Sequence, residues 1–514
     1  MNTPATEGAT ENTGAVDLEE TADLVDGRWE ACRDRLGPLL ENPATGATVR
    51  PALGSSAARA EQALAAADSL HSAGTWASLA DTVRADALDS AAAAVEERVE
   101  TIVRAESFAT GVPLAQTSGL GVIVGGAFRL AAARLRAGVL RSEVLRPDGR
   151  AVEVRRAPLG PALCVVPYNA PAPMAAHKAA SALAAGCPVI VKAPELAPYG
   201  TQLLVRAAAE GLAAAGAPPG VLQLLHGDGR IGARLVADAR VRVVSFTGGT
   251  AAGRAVGSVC GQGLKPVQLE LGGNNPLVVM PDANPAVAAR LAAELLTTLN
   301  GQWCRALGRL IVPSAMMSSL LTDIGAALAD VKAGAPFDAA TGYGPLAHSS
   351  HHRRVTAALD ALVAAGGTPH TFTEIPGTGS FLAPVLLTGV PEQAAREEVF
   401  GPVATVHAYD DEDEAVALAN STGYGLEGYV AGTDEEAALA VARRIRAGEV
   451  KVNGSSLMSL HLDTPRPAWG LSGLVDEGTD ETLLHFTGSR VTGVEAAFAL
   501  HTGQGPGPAT ERSR

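Results

Sequence analysis

Five residues, Asn300-Gly301-Gln302-Trp303-Cys304, stand between an apolar helical run (Val287 to Leu299) and an apolar strand (Leu310 to Val312). A thiol in such a turn can do chemistry, because loops held by rigid elements carry reactive groups. Cysteine is a nucleophile only as its thiolate, so it needs a lowered pKa or a nearby base. Glu270 lies thirty-four positions upstream, in Glu270-Leu271-Gly272-Gly273-Asn274-Asn275-Pro276. The paired glycines let backbone approach a ligand or another strand closely. A carboxylate and a thiol on two such turns read as a base and a nucleophile sharing one pocket. The competing reading is an inert core cysteine, the commonest fate of a thiol before an apolar strand. Two more stretches bear polar groups. Pro167-Tyr168-Asn169-Ala170-Pro171 supplies an amide, and Glu397-Glu398-Val399-Phe400-Gly401-Pro402 supplies a carboxylate and an aromatic ring.

These turns need a scaffold, and the periodicity supplies one. From Pro161 to Leu271 strands and helices alternate. Strands are expected at Ala162–Val166, Pro188–Lys192, Val221–Leu225, Val241–Phe246 and Pro266–Leu271. Helices are expected at Pro173–Ala185, Thr201–Ala215, Ile231–Ala237 and Thr250–Gly261. Such alternation specifies a doubly wound parallel sheet, which binds nucleotides at the carboxyl ends of its strands. The second half repeats the theme, with strands at Asn275–Val279, Leu310–Val312, Val399–His407, Gly428–Ala431 and Val450–Asn453. Helices are expected there at Ser314–Leu328, His351–Ala365, Glu412–Ala419 and Glu435–Ala447. Ahead of both, Leu24–Arg28 reads as a short strand and Asn42–Gly46 as a turn. Ser56–Ala67, Trp76–Gly111 and Val122–Leu140 read as helical. Pro147-Asp148-Gly149 reads as a turn before an alternating strand, Arg150–Arg156, and Leu483–Val494 as the last strand with its lead-in. Residues 1–20 read as a disordered lead and 501–514 as a loose tail.

The chain has 514 residues, 47% apolar and 18% charged, with a formal charge of −14. That is enough for more than one domain. An acidic chain without a basic run argues against nucleic acid and anionic membrane. No apolar segment runs for twenty residues without polar interruption, and Met1–Glu20 lacks the pattern of a secretory signal. Five cysteines without a Cys-x-x-Cys fit reduced thiols in a cytoplasmic protein and offer no metal site.

Gly248-Gly249-Thr250-Ala251-Ala252-Gly253 follows a strand and opens a helix, so its N–H groups could meet an anion, although such turns are common without one. Together with Asn42-Pro43-Ala44-Thr45-Gly46, Lys192-Ala193-Pro194-Glu195, Phe246-Thr247-Gly248-Gly249 and Asn420-Ser421-Thr422-Gly423-Tyr424-Gly425-Leu426, the turns above occur in an order that resembles the NAD(P)-dependent aldehyde dehydrogenase superfamily, nearly end to end.

The resemblance implies an α/β fold with three parts. A Rossmann-type NAD-binding domain would take residues 21–140 and 161–271, a catalytic domain 272–475, and a small β oligomerisation element 141–160 and 476–500. It implies a homodimer or homotetramer acting on a small-molecule aldehyde. Cys304 would be the nucleophile, Glu270 the base and Asn169 an oxyanion donor. Lys192 and Glu195 would hold the adenine ribose, Gly248, Gly249 and Gly253 the pyrophosphate turn, and Glu398 and Phe400 the nicotinamide end, with Leu271 beside it. Gly249 stands where the family usually has serine, which leaves backbone to carry more of the phosphate contact. A carboxylate at Glu195 would repel a 2′-phosphate and favour NAD over NADP.

Ala170, His177, Trp303 and Arg466 fall at substrate positions by the same resemblance. Ala170, His177 and Arg466 give room, a titratable ring and a fixed cation where bulky aromatics are usual. An arginine there suits a distal carboxylate, so a polar or acidic semialdehyde is among the expected substrates; the competing reading has Arg466 in solvent or paired with Asp463. Asn274-Asn275 also resembles members acting on amino-acid-derived semialdehydes. The alternatives are a CoA-acylating relative, which needs a water-activating Glu270 less, and a silent scaffold member, which needs none of Cys304, Glu270 and Asn169.

Overall fold

The computed structural model describes residue 16 and residues 18–495. Five short strands form the centre of its first sheet: Ala162–Val165, Val189–Lys192, Leu222–Leu225, Val243–Thr247 and Val267–Glu270. Every residue in them is buried. Burial on both faces is what parallel strands covered by helices require. They pair in parallel, and their spatial order is third, second, first, fourth, fifth. The order reverses between Ala162–Val165 and Val243–Thr247, and at such a reversal the strand ends open into a crevice. Ala22–Val25 and Arg28–Ala31 finish one edge antiparallel. Gly473–Leu474 finishes the other, against Leu269 and Glu270. Gly473 and Leu474, assigned by sequence to the catalytic part, therefore lie in the first sheet, and the Leu271 N–H donates to the Ser472 carbonyl at 2.8 Å beside them.

The second sheet has seven strands in the order Thr368–Thr371, Val385–Thr388, Val403–Tyr409, Leu307–Pro313, Asn275–Val279, Glu427–Ala431 and Glu449–Val452. All pairs are parallel except the first. Alternate side chains serve opposite faces, as strand geometry dictates. Leu277 and Val279 pack with helices Pro285–Thr297 and Met317–Ala329, while Val278 packs with helices Glu412–Ala419 and Glu435–Ala442. A third sheet joins Arg141–Leu145, Ala151–Pro158 and Thr487–Gly493 antiparallel, with Val144, Leu145 and Val491 exposed.

Several boundaries move for local reasons. The helical run expected at Trp76–Gly111 is two helices, Asp81–Glu96 and Val99–Thr110, broken at Glu97 and Arg98. The next helix starts at Leu114, not Val122, because Pro113 sits at its N-cap, where a missing N–H costs nothing. Leu483–His485 closes the helix Thr479–His485 rather than leading a strand. The Asn42–Gly46 turn joins an unexpected hairpin, Asp34–Glu41 with Thr48–Gly54. At the end of the expected disordered lead, Val16 and Leu18 pack on the cluster of Leu36 and Leu40, and the Arg50 guanidinium donates to the Leu18 and Glu19 carbonyls at 2.9 and 3.1 Å. The rest of that lead, residues 496–500 and the expected tail lie outside the described residues. Among the described residues one helix, Leu114–Arg136, is long and apolar enough to cross a membrane. Its Arg129, Arg134 and Arg136 are all ion-paired to carboxylates of other elements.

Candidate active site

The turn before Cys304 is held in an uncommon shape. The helix Pro285–Thr297 ends in a 3₁₀ turn whose Leu299, Asn300 and Gly301 have φ of +48°, +58° and +71°. Left-handed backbone at a branched residue costs roughly 1–3 kcal/mol and persists only where the surroundings impose it. Asn300 imposes it here. Its amide donates to the Gly111 and Pro345 carbonyls, both at 2.9 Å, and accepts from the Gly344 N–H at 2.8 Å. Gly301 has no alternative, since a side chain there would strike the backbone of Gly401 and Pro402. Beyond the turn, Asn275 donates to the Cys304 and Ala306 carbonyls at 2.9 and 2.7 Å. Asn274 donates to the Ala395 carbonyl at 2.8 Å. This pair, read from sequence as a substrate discriminator, spends its amides on the scaffold.

Cys304 is partly exposed, whereas Cys32, Cys164, Cys187 and Cys260 are buried. Glu270 ends its strand 5% exposed and interacts with the Cys304 thiol. Burial, and then the charge of Glu477, push the Glu270 carboxyl above the usual carboxylate range, while the thiol, Arg305 and Arg466 pull it back. Burial and Glu270 together hold the thiol well above its ordinary value, against Arg305 and Arg466. The Glu270 Oε1 has no hydrogen-bond partner in the protein. A buried acceptor left open beside a thiol is suited to receive a proton or to hold a water.

Glu477 and Lys178 gave no sequence signal, being 299 residues apart, yet they form a buried pair at 2.7 Å. The Lys178 ammonium also donates to the Ser245 hydroxyl at 2.8 Å. Burial works against the Glu477 charge, but Lys178, His177 and Arg466 outweigh it and bring its carboxyl down to about 2. His177 lies in the helix Pro171–Ala185, 3.1 Å from the Thr482 hydroxyl, and burial pushes its ring down to about 4, so it is neutral near pH 7. Arg466 exchanges backbone hydrogen bonds with Glu477, at 2.6 and 3.1 Å. Asp463 is paired with Arg134, not with Arg466, and the Arg466 Nε is buried without a partner. His177 and Arg466 are thus gathered around Glu477, and of the two only Arg466 acts on the thiol. Trp303 is not a wall of open space: it is 4% exposed, in the core of the second sheet.

Asn169 and Ala170 follow the central strand and line a small cavity with Leu299, Thr117 and Glu106. Ala170 is the N-cap of the helix Pro171–Ala185. Glu106, another residue sequence reasoning missed, is 4% exposed, and burial pushes its carboxyl up to about 8.

The crevice at the strand reversal is a cavity of about 390 Å³. Lys192, Glu195, Asp228, Tyr168, Thr247 and Gly248 line it. Lys192 and Glu195 pair at 3.3 Å. Burial lowers the lysine and Glu195 restores it in part. The helix Thr250–Gln262 opens at Gly249 without a side-chain cap, and nothing stands within 4 Å of where a Gly249 side chain would be. Free N–H groups at an open helix start fit a phosphate. Gly253 is filled by Leu271, so that helix packs directly on the turn after Glu270. Glu398 accepts from the Gly273 N–H at 2.8 Å, and burial lifts its carboxyl to about 7. Phe400 meets Tyr168 edge-on at 6.1 Å and His351 at 6.0 Å.

The profile of the aldehyde dehydrogenase family matches residues 39–492. A geranial dehydrogenase from Castellaniella defragrans is 35% identical over 77% of this chain and 82% of its own length. A succinate-semialdehyde dehydrogenase from Paenarthrobacter nicotinovorans is 33% identical over 85% of this chain and 97% of its own. A betaine aldehyde dehydrogenase double mutant from Staphylococcus aureus, solved with NAD⁺, superposes with a TM-score of 0.88 at 26% identity, covering 95% of this chain and 99% of that one. A parallel sheet reversing beside a nucleotide-sized crevice, a thiol and a carboxyl on facing turns, and a match across nearly the whole chain place this protein in the aldehyde dehydrogenase family.

Proposed function

We propose that this chain is an NAD-dependent aldehyde dehydrogenase that makes carboxylic acids through a thiohemiacetal and a thioester on Cys304. The observation that carries this is the partly exposed Cys304 thiol interacting with the buried Glu270 carboxyl, whose Oε1 has no partner in the protein. Cys304, its thiol proton first released to solvent, attacks the aldehyde carbon as the thiolate. The Asn169 amide and the Cys304 N–H hold the developing oxyanion, a contribution of roughly 3 kcal/mol per donor in comparable sites. NAD, when bound, supplies the hydride acceptor. Glu270 then takes a proton from water as that water opens the thioester. Glu477, itself held ionised by Lys178, keeps Glu270 basic by like-charge repulsion.

Lys192 and Glu195 would hold the adenosine end, the Gly248–Gly249 helix start the phosphates, and Glu398 and Phe400 the nicotinamide end. Asp228 lines the same cavity as Glu195, so two carboxylates oppose a 2′-phosphate. The expected result is a higher kcat/KM with NAD than with NADP; an equal or higher value with NADP removes this account of cofactor choice. The exposed edge of the three-stranded sheet is the proposed contact between subunits.

Arg466 sets the substrate class. Its charge acts on Cys304 and Glu270, and no carboxylate side chain neutralises it in an ion pair among the described residues. An aldehyde with a distal carboxylate would complete it, and succinate semialdehyde, on which one relative is named to act, has that shape. A panel of aldehydes, followed by absorbance of the reduced cofactor, tests the activity. A matched acidic and neutral pair tests Arg466→Ala. The acid is expected to lose roughly 1.5–3 kcal/mol in kcat/KM, the size of a charged hydrogen bond. Equal losses on both, or a parent that prefers the neutral aldehyde, would remove this assignment.

A further inference from the structure

The reaction above leaves one charged cluster unused. Arg305 directly follows Cys304 and is 4% exposed. Its guanidinium pairs with Glu427, and with Glu449 at 3.0 Å. Lys451 pairs with Glu427 at 2.9 Å. Two cations and two carboxylates thus sit together under the catalytic turn. Arg305 comes from the turn itself, and the other three from neighbouring parallel strands, where Glu427 lies beside Glu449 and Tyr429 beside Lys451. The Tyr429 hydroxyl donates to the Arg305 carbonyl at 2.8 Å, so Arg305 is fixed through both backbone and side chain. The same cluster grips the chain that leads to Arg466. The Lys451 ammonium donates to the Ser456 and Met458 carbonyls at 2.8 and 3.0 Å, and Glu449 accepts from the Leu460 N–H at 2.7 Å.

Stability is a poor reason for such a cluster. Buried ion pairs lose in desolvation much of what they gain in attraction, and apolar side chains of similar size are often as good or better. Location is a better reason, because a fixed cation beside a nucleophile favours its charged form.

We infer that Arg305 is a positioning residue that keeps a buried positive charge beside Cys304 to favour the thiolate, and that Glu427, Glu449 and Lys451 anchor this guanidinium and the Ser456–Leu460 segment as one unit. The inference rests on Cys304 being the nucleophile. The charged groups acting on the thiol are Glu270, which opposes ionisation, and Arg305 and Arg466, which favour it. Glu477 acts behind Glu270, and Arg466 also bears on Lys451, so substrate arginine and buried cluster share one field. Of the two arginines only Arg305 is locked between carboxylates.

The test is the pH profile of Cys304 alkylation by iodoacetamide on the full chain, read by peptide mass spectrometry. In Arg305→Met the labelling midpoint is expected to rise by about one pH unit or more, the scale of a lost neighbouring charge. Arg305→Lys, which keeps the charge and loses the fork, is expected to recover most of that shift. If Arg305→Met does not fold, Arg305→Met with Glu427→Gln removes one charge of each sign and carries the same readout, because the lost cation is the one that directly follows Cys304 in the chain and acts on its thiol. An unchanged midpoint in a folded variant would overturn the inference. So would a lysine variant that behaves like the methionine one, since a structural role needs the fork and an electrostatic role needs the charge. Labelling reports the thiol whether or not aldehyde is oxidised, so failure of the catalytic assignment shows separately, as turnover that survives loss of Cys304.

Discussion

Cys304→Ala is expected to lower kcat/KM for aldehyde oxidation by a thousandfold or more, a loss of about 4 kcal/mol in transition-state stabilisation. No other described thiol can substitute. Cys164 and Cys187 are fully buried and pushed up to about 12, and Cys32 is raised by burial and by Asp23. NAD affinity should stay near that of the parent, because the crevice is lined by the first sheet and its turns while Cys304 belongs to the turn before the second. Steady-state rates and a cofactor titration on the same preparation separate these effects. Residual turnover within about tenfold of the parent, roughly 1.4 kcal/mol, would refute the nucleophile assignment.

Glu270→Gln should leave a burst of reduced cofactor and then a slow steady state. In the proposed mechanism Glu270 assists water in the second half of the reaction, and removing a positioned general base costs on the order of 10²–10⁴-fold. The pH dependence has a definite sign. Burial and Glu477 raise the Glu270 carboxyl, so its ionised, active form is lost as pH falls through a midpoint above the ordinary carboxylate range. In the parent, kcat should therefore climb across that midpoint, and in the glutamine variant the step should vanish. If the burst itself disappears, Glu270 serves the thiol before it serves water, and the order of events proposed here is wrong.

The sheet was readable because its strands are short, largely apolar and separated by helices. Cys304, Glu270 and Asn169 were readable as chemistry because each sits in or directly before a turn marked by glycine or proline. Boundaries failed where proline plays two roles, as at Pro113, which closes one helix run and opens the next. The Lys178–Glu477 pair was invisible for a different reason. A lysine on an apolar helix face reads as snorkelling to solvent, and only the fold shows a carboxylate waiting for it. Arg305 was passed over in the same way, since its partners Glu427 and Glu449 lie on strands more than a hundred residues later. Trp303, set at a substrate position by the resemblance, is buried in the core of the second sheet, which no neighbouring residue type announces.

The edge strand Gly473–Leu474 bears on how this enzyme could be cut, recombined or inherited in pieces. The boundary at residue 271 looks like a natural seam, yet the strand ending in Glu270 carries an unpaired ladder without two residues that arrive some two hundred positions later. A fragment stopping at the seam would present that bare edge to other chains, which invites aggregation. A chimera joined there would pair the base of one parent with the border strand of another. The exchangeable unit is therefore discontinuous: grafting a foreign cofactor half onto this enzyme requires carrying the Ser472–Leu474 segment along with it.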